Sequence, residues 1–295
     1  MSIINTVLNI IRHPFNRSNK LSAIFRFIKW QIGSRLVPGE VIYEWINGSK
    51  IIARTGETGV TGNIYCGLHE SSDMAFLLHV LRSDDLFVDV GANVGSYTVL
   101  SSAVVGAKSY CFEPVPSTFN RLRSNIRING MNDKVICSNV ALGSEKGKIY
   151  FSSDQNCMNH VIADHEVVEN KIEVPVSTMD EEIEGVPFLM KIDVEGYETP
   201  ALEGAKALLS KEGVCAIIME LNGAGARYGY NESKILELMA EFGFNTYSYD
   251  PFKRKLESLN GKNVSEGNTI CIRNFGGVLE RIKSAPKFHI NGLSI

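Results

Sequence analysis

An α/β fold with a mostly parallel sheet and helices on both faces is predicted by three features of residues 71–273. Short apolar runs alternate with segments of helical periodicity, as parallel strands joined by crossover helices require. The run "LFVDV" ends a strand pattern with an acid and opens a turn holding Gly91 and Gly95. The next apolar run, "SYCF", leads into a second acid, Glu113. Ligands of such sheets lie at the carboxyl ends of strands, so a site is expected just after residues 90, 113, 140, 193 and 221.

Along the chain, an apolar piece from Ile3 to Ile11 stops near Pro14. Leu21, Ile24, Phe25, Ile28, Ile32 and Leu36 then recur at helical spacing and predict an amphipathic helix over 20–36. Residues 40–66 alternate apolar with polar around Gly48, Gly56, Gly59 and Gly62, the pattern of a small antiparallel hairpin unit. Ser71 or Ser72 offers a cap for a helix over 73–82. Strand 85–90, helix 95–105, strand 108–113, helix 117–129 and strand 134–140 follow. Short strands are expected at 147–151 and 171–176, after which the alternation resumes. Strand 187–193, helix 199–210, strand 213–221, helix 231–242 and strand 244–249 precede a last strand at 268–273.

Composition narrows the function. The chain of 295 residues is 44% hydrophobic, ample for a packed interior. No stretch reaches the roughly 18 consecutive apolar residues of a membrane span, and the start lacks a secretory signal pattern, so a cytoplasmic protein is expected. Six cysteines without a C-x-x-C pair suit reduced thiols rather than disulfides or structural zinc. The net charge of −3 hides an asymmetry. Residues 1–39 carry Arg12, Arg17, Lys20, Arg26, Lys29 and Arg35 and no acid, which leaves −9 on the remainder. An acidic body with no nucleic-acid motif disfavours a nucleic-acid partner. The basic helices of residues 1–38 either cover the main domain or contact an anionic membrane face, the inner one for a cytoplasmic protein, or a protein partner.

In the turn "DVGANVG", glycines let the backbone bend tightly and a ligand approach closely, while the following helix presents unpaired N–H groups. Glu113 can accept both ribose hydroxyls of a nucleoside. A dinucleotide fits poorly, because G-x-G-x-x-G is missing and Asp89 would repel a pyrophosphate. An adenosine without phosphate suits the turn better, which points to S-adenosyl-L-methionine. Asp89 then organises the amino-acid end of that ligand or the turn itself, Gly91 and Gly95 make room, and Asn139 and Val140 lie beside the adenine.

The stretches "FVDVGANVGSYT", "FEPVPSTFNRL", "NVALG" and "MKIDVEGYE" followed by "LEGA" resemble the FkbM family of S-adenosylmethionine-dependent methyltransferases, over about residues 64–250. The resemblance implies a Rossmann-like class I methyltransferase fold with a seven-stranded, mostly parallel sheet. It also implies O-methylation of hydroxyls on sugars, glycans or polyketide-type products. It extends the cofactor set to Glu70, Asn93, Ser96 and Pro114, with Asp193 between cofactor and acceptor.

Methyl transfer from a sulfonium is an in-line displacement that needs an aligned acceptor and a proton acceptor. Candidates are Lys191, Asp193 and Glu195 in "KIDVEG" and Glu220 in "IIMELNG". Asp193 or Glu195 could take the proton, with Lys191 pairing one carboxylate, although Glu195 could equally cap the next helix. A divalent metal on Asp193, Glu220 and Asn222 is the alternative, less favoured because no further acid completes the shell. His69 precedes the helix leading to the turn, and His160 and His165 fall in a polar stretch, 152–170, expected to form a mobile loop. Arg227 and Tyr228, Tyr230, Phe244, Tyr247, Tyr249 and Phe252 offer contacts for an anionic sugar or a stacking platform, although most of these rings suit packing.

The expected organisation is an N-terminal unit over 1–66, a methyltransferase domain over 67–280 and a C-terminal tail over 281–295. The expected acceptor is a sugar or glycan hydroxyl, in polysaccharide or lipid-linked saccharide synthesis. The rival readings are a small secondary metabolite as acceptor or a non-catalytic cofactor-binding scaffold. Oligomeric state has no signature in the sequence.

Overall fold

A computed structural model of the chain describes residues 3–37, 39–152, 160–163, 166, 170–264 and 267–295. In chain order the helices and strands are α1 (Ile3–Arg12), α2 (Lys20–Leu36), β1 (Val41–Glu44), β2 (Lys50–Ala53), α3 (Thr58–Cys66), α4 (Ser71–Val80), β3 (Leu86–Val90) and α5 (Ser96–Val99). Next come β4 (Lys108–Phe112), α6 (Pro116–Ile128), β5 (Val135–Ser138), β6 (Ala141–Leu142), β7 (Gly147–Ser152), β8 (Lys171–Ser177), α7 (Met179–Glu182) and β9 (Leu189–Ile192). The remainder is α8 (Glu198–Glu203), α9 (Lys206–Leu209), β10 (Ala216–Glu220), α10 (Glu232–Glu241), β11 (Asn245–Asp250), β12 (Lys255–Ser258), β13 (Asn268–Ile272), α11 (Phe275–Ser284), β14 (His289–Ile290) and β15 (Leu293–Ser294).

The main sheet runs β12-β11-β13-β10-β9-β3-β4-β5. From β10 to β5 the pairs are parallel, while β13 lies antiparallel to both β10 and β11. These seven strands carry the expected sheet, and β12 adds a hairpin edge onto β11. Strands β9 and β13 are buried throughout, as strands covered on both faces are. One face packs α4, α6 and α11 with Phe76, Leu77, Leu122 and Ile282 in its core. The other packs α8, α9 and α10 with Leu202, Leu208, Ile235 and Met239. β3 and β9 are parallel, but the order of the strands reverses between them, β4 and β5 running to one side of β3 and β10 beyond β9, so a crevice opens at Val90 and Ile192, the switch point of a doubly wound sheet.

Several local expectations change. The hairpin of 40–66 is confined to β1 and β2; residues 58–66 form helix α3, despite two glycines. Gly62 is needed there, since a Cβ would come within 2.5 Å of the His69 ring. Helix α4 starts one residue after Glu70, and neither Ser71 nor Ser72 caps it. The helix expected over 95–105 begins as α5 and continues through wide π-type turns over Leu100–Val105. The helix expected over 199–210 divides into α8 and α9 around Gly204, whose Cα packs against the Gly143 carbonyl. The strand expected to reach residue 140 stops at Ser138, and the chain then forms the separate sheet β6-β8-β7.

Residue 280 is not a structural break. Helix α11 continues to Ser284, and Arg281 donates to the Val80 carbonyl at 3.0 Å and pairs with Asp85. Phe288, Ile290 and Ile295 are buried, closing the hairpin β14–β15 onto the core. Cys66, Cys111, Cys137, Cys215 and Cys271 are free thiols, and Cys157 lies outside the described residues. No helix among the described residues is long and apolar enough to cross a membrane.

Candidate active site

A cavity of about 300 Å³ opens at the switch point. Its floor is the β3–α5 turn. Gly91 adopts φ +76°, and a Cβ there would overlap the Asp193 carbonyl oxygen, so the close approach of β3 to β9 demands glycine. Asn93 also takes a left-handed conformation, φ +52°, and its N–H donates to Glu113 Oε2 at 3.0 Å. Val115 N–H donates to the other oxygen, Oε1, at 2.9 Å. Burial pushes the Glu113 carboxyl up to about 7, against the pull of these two amides. Glu113 lines the cavity, and a carboxylate oxygen with one lone pair used retains another for a hydroxyl.

Asp89 plays a different part. It is 1% exposed and accepts from Thr98 Oγ1 at 2.7 Å, which ties the strand end to α5. Lys191 lies directly across from it in β9, also buried, with its Nζ 2.6 Å from Asp193 Oδ2 and 4.7 Å from the centre of the Tyr97 ring. Burial alone would lower the Lys191 ammonium, but the carboxylates of Asp193, Glu70 and Asp89 outweigh it and hold it above its ordinary value. The Tyr97 hydroxyl donates to Glu70 Oε2. Glu70, Ser96, Pro114 and Val140 line the cavity together with Asp89, Gly91, Asn93 and Glu113.

Two expected cofactor residues are engaged by the fold itself. Asn139 donates both amide hydrogens to backbone carbonyls, of Glu113 at 2.8 Å and Pro114 at 2.9 Å, and is spent bracing the strand ends. At Gly95, φ +88°, a Cβ would stand 2.5 Å from Leu122 Cδ1, so helix α6 packs close against the turn there.

At the far end, Asp193, Glu195 and Glu220 each offer an oxygen within 4.8 Å of the others. Glu195 reaches the cluster because it adopts φ +54° ahead of Gly196; it does not cap α8, where Glu198 instead accepts from Val194 and Gly196 N–H at 3.2 Å. Burial and the charges of Asp193 and Glu195 push Glu220 up to about 8, and Glu195 is raised by burial and Asp193. Asn222 Oδ1 accepts from Ala224 N–H at 2.9 Å in the following turn.

His160 falls in the stretch 152–170 expected to form a mobile loop. It is 8% exposed, with Nε2 3.4 Å from Glu166 Oε2, and Arg227 Nε stands 3.5 Å from Oε1 of the same glutamate. His165 and much of 152–170 lie outside the described residues. Tyr228 packs edge-on to Tyr197 and donates to Val161 O at 2.7 Å. Of the other rings, Phe244 and Tyr249 are core, Tyr247 stacks on Phe275, and Arg17 lies over Phe252.

Sequence reasoning missed the wall that α3 supplies, Gly59, Val60 and Asn63, because that helix was read as a hairpin. It also missed Tyr97 and Arg121. Tyr97 sits one residue past Ser96 in the turn motif and Arg121 lies within the stretch "FEPVPSTFNRL", and that proximity was the available signal.

Residues 89–246 match the methyltransferase FkbM domain. The chain is 30% identical over 183 residues to the hexuronic acid methyltransferase AglP of Haloferax volcanii, covering 60% of this chain and 70% of that one. Among solved structures, methyltransferase FkbM from Methylobacillus flagellatus is 15% identical with a TM-score of 0.44, covering 65% of this chain and 44% of that one. The chain thus spans less than half the length of that structure. SMU.1697c, a putative methyltransferase from Streptococcus mutans in complex with SAH, is 12% identical with a TM-score of 0.40, covering 67% and 92%. The chain belongs to the FkbM methyltransferase family, and its fold is that of the class I methyltransferases.

Proposed function

We propose that this FkbM methyltransferase transfers a methyl group from S-adenosyl-L-methionine to a hydroxyl of a sugar or glycan, in polysaccharide or lipid-linked saccharide synthesis on the cytoplasmic side. The observation that carries this reading is that one cavity is lined both by a nucleoside-type cradle and by Asp193 and Glu195, which form a cluster of three carboxylates with Glu220. The likeness to a hexuronic acid methyltransferase supports a sugar as acceptor.

The cradle fits the cofactor. Glu113 stands where ribose hydroxyls need an acceptor, Val140 and Pro114 offer apolar contact to a purine, and Glu70 with Tyr97 closes the end toward an amino-acid group. The acids around Lys191 outnumber it, so the site attracts a cation. When bound, the cofactor supplies an electrophilic methyl group on its sulfonium.

The residues of the chain then handle the acceptor. Lys191 holds Asp193 in place, and Asp193 orients the acceptor hydroxyl toward the cavity. Glu220, raised to about 8, has a basicity near working pH and takes the hydroxyl proton, with Glu195 beside it. Arg227, at the edge of this end, provides a cation for an acceptor carboxylate. The three carboxylates favour one second reading, a divalent cation that holds the acceptor. Proton acceptance is preferred because Lys191 already supplies a positive charge to Asp193.

The first test is calorimetric titration with S-adenosylmethionine, S-adenosylhomocysteine and NAD, repeated on Glu113→Ala. Binding of the two adenosyl ligands alone, lost in the variant, is expected; binding of NAD instead would overturn the reading of the turn. Labelled methyl transfer to uronic-acid-containing glycans, assayed beside neutral glycans and small phenols, then tests the acceptor class. Transfer confined to phenols would refute it.

A further inference from the structure

The helix that should have buried its apolar stripe wears it on the outside. On α2, Ala23, Trp30 and Ser34 face the body, yet Leu21, Phe25, Ile28, Ile32 and Leu36 point away from it, at 81%, 67%, 46%, 56% and 76% exposure. At 100° per residue these five fall within an arc of about 80°, opposite the buried face. Lys29 and Arg35 border that arc, one on each side, and both are exposed. Helix α1 extends the surface: Ile3 and Thr6 line a shallow hollow with Phe27 and Ile32 of α2, and Ile3 and Ile4 are over 70% exposed.

We infer that α1 and α2 form a docking face for an anionic lipid bilayer. Charge decides between occupants. Residues 1–39 hold six basic side chains and no acid, against −9 on the remainder. An apolar ridge between cations is the pattern of a helix lying in the headgroup layer, where Lys and Arg reach phosphates while the apolar side chains enter the acyl boundary. A two-fold contact with a second copy would instead set the same cations against each other. The helices are fixed to the body rather than tethered. Arg26 donates to the Tyr65 carbonyl at 3.0 Å and to Asn16 Oδ1 at 2.6 Å, and Asn16 Nδ2 donates to the Ile10 and Tyr65 carbonyls at 2.9 and 3.2 Å. Docking therefore sets the orientation of the whole enzyme on the surface. This inference stands apart from the acceptor assignment, because vesicles alone test it.

The experiment is co-sedimentation of the full-length protein with phosphatidylglycerol–phosphatidylcholine vesicles and with phosphatidylcholine alone, at low and high salt. Sedimentation with the anionic vesicles is expected, weakened by salt and roughly tenfold weaker on the zwitterionic ones. The double variant Phe25→Ser, Ile32→Ser should lose at least about tenfold in binding, while its melting temperature and cofactor titration stay unchanged. No sedimentation with anionic vesicles, or equal sedimentation of the double variant, would overturn the inference. So would a concentration-dependent dimer that the double variant abolishes, found without vesicle binding.

Discussion

The nucleoside cradle and the carboxylate cluster beside it bond their acids differently. Behind the nucleoside cradle, Asp89 and Glu113 lie at the ends of adjacent strands with Thr98, Asn93 and Val115 donating to them. Across the crevice, Asp193, Glu195 and Glu220 crowd together, with Lys191 on one of them. Acids with their bonds provided by the fold act as framework and shape a pocket. Burial raises acids at both ends, but Glu195 and Glu220 are also raised by their acidic neighbours, lack such donors among the described residues, and are held ready to exchange protons.

The sharpest way to break this contrast is at the point where the two ends touch. Gly91→Ala drives a methyl into the Asp193 carbonyl at a positive φ. We expect a loss of about 1–3 kcal/mol in urea unfolding, on the scale of overpacking, and no measurable cofactor binding. Asp193→Asn keeps the shape and removes the charge. Turnover should fall about 10²- to 10⁴-fold while cofactor affinity, by calorimetry, changes less than about tenfold. A comparable loss of affinity would assign Asp193 to the cofactor end instead.

Thr98→Val tests the framework end, leaving the buried Asp89 one donor short. Stability should drop by about 1–3 kcal/mol in urea unfolding, without a change in the pH profile of activity. Glu220→Gln tests the crowded end through pH. The folded protein keeps a proton on Glu220 to about pH 8, whereas the ordinary carboxyl value is 4.5. Between those values the folded state binds more protons, so stability falls as pH rises. The variant should therefore melt about 2–4 °C above the parent at pH 9 and level with it at pH 4. The smallest expected effect is that of a chelator, which should leave turnover within about twofold. A large loss restored by magnesium would convert the carboxylate cluster into a metal site.

How much of this could be read along the chain differs between the same two ends. The turn at 89–95, Glu113 and the alternation of strands and helices are local patterns and were legible. Glu220 and Glu195 were legible as acids after strand ends, but their crowding was not. Asn222 shares their position in sequence, and its oxygen accepts from Ala224 N–H. Asn139 and Gly95 lie within the recognised motifs, yet serve strand ends and helix α6. Helix α3 was misread because Gly59 and Gly62 resemble turn residues, and only the His69 ring against Gly62 explains a glycine there.

By itself the sequence determined the alternation of strands and helices from α4 onward, the family and the chemistry types at the strand ends. Periods of 2 and 3.6, and a glycine at a strand-to-helix turn, are consequences of backbone geometry that neighbours along the chain decide. The tertiary structure decided which acids are satisfied and which crowd, and which of the two apolar faces of α2 the body covers. Both depend on groups far apart in sequence, such as Lys191 against Asp89 or Tyr65 against Arg26, and no local period records which of them meet.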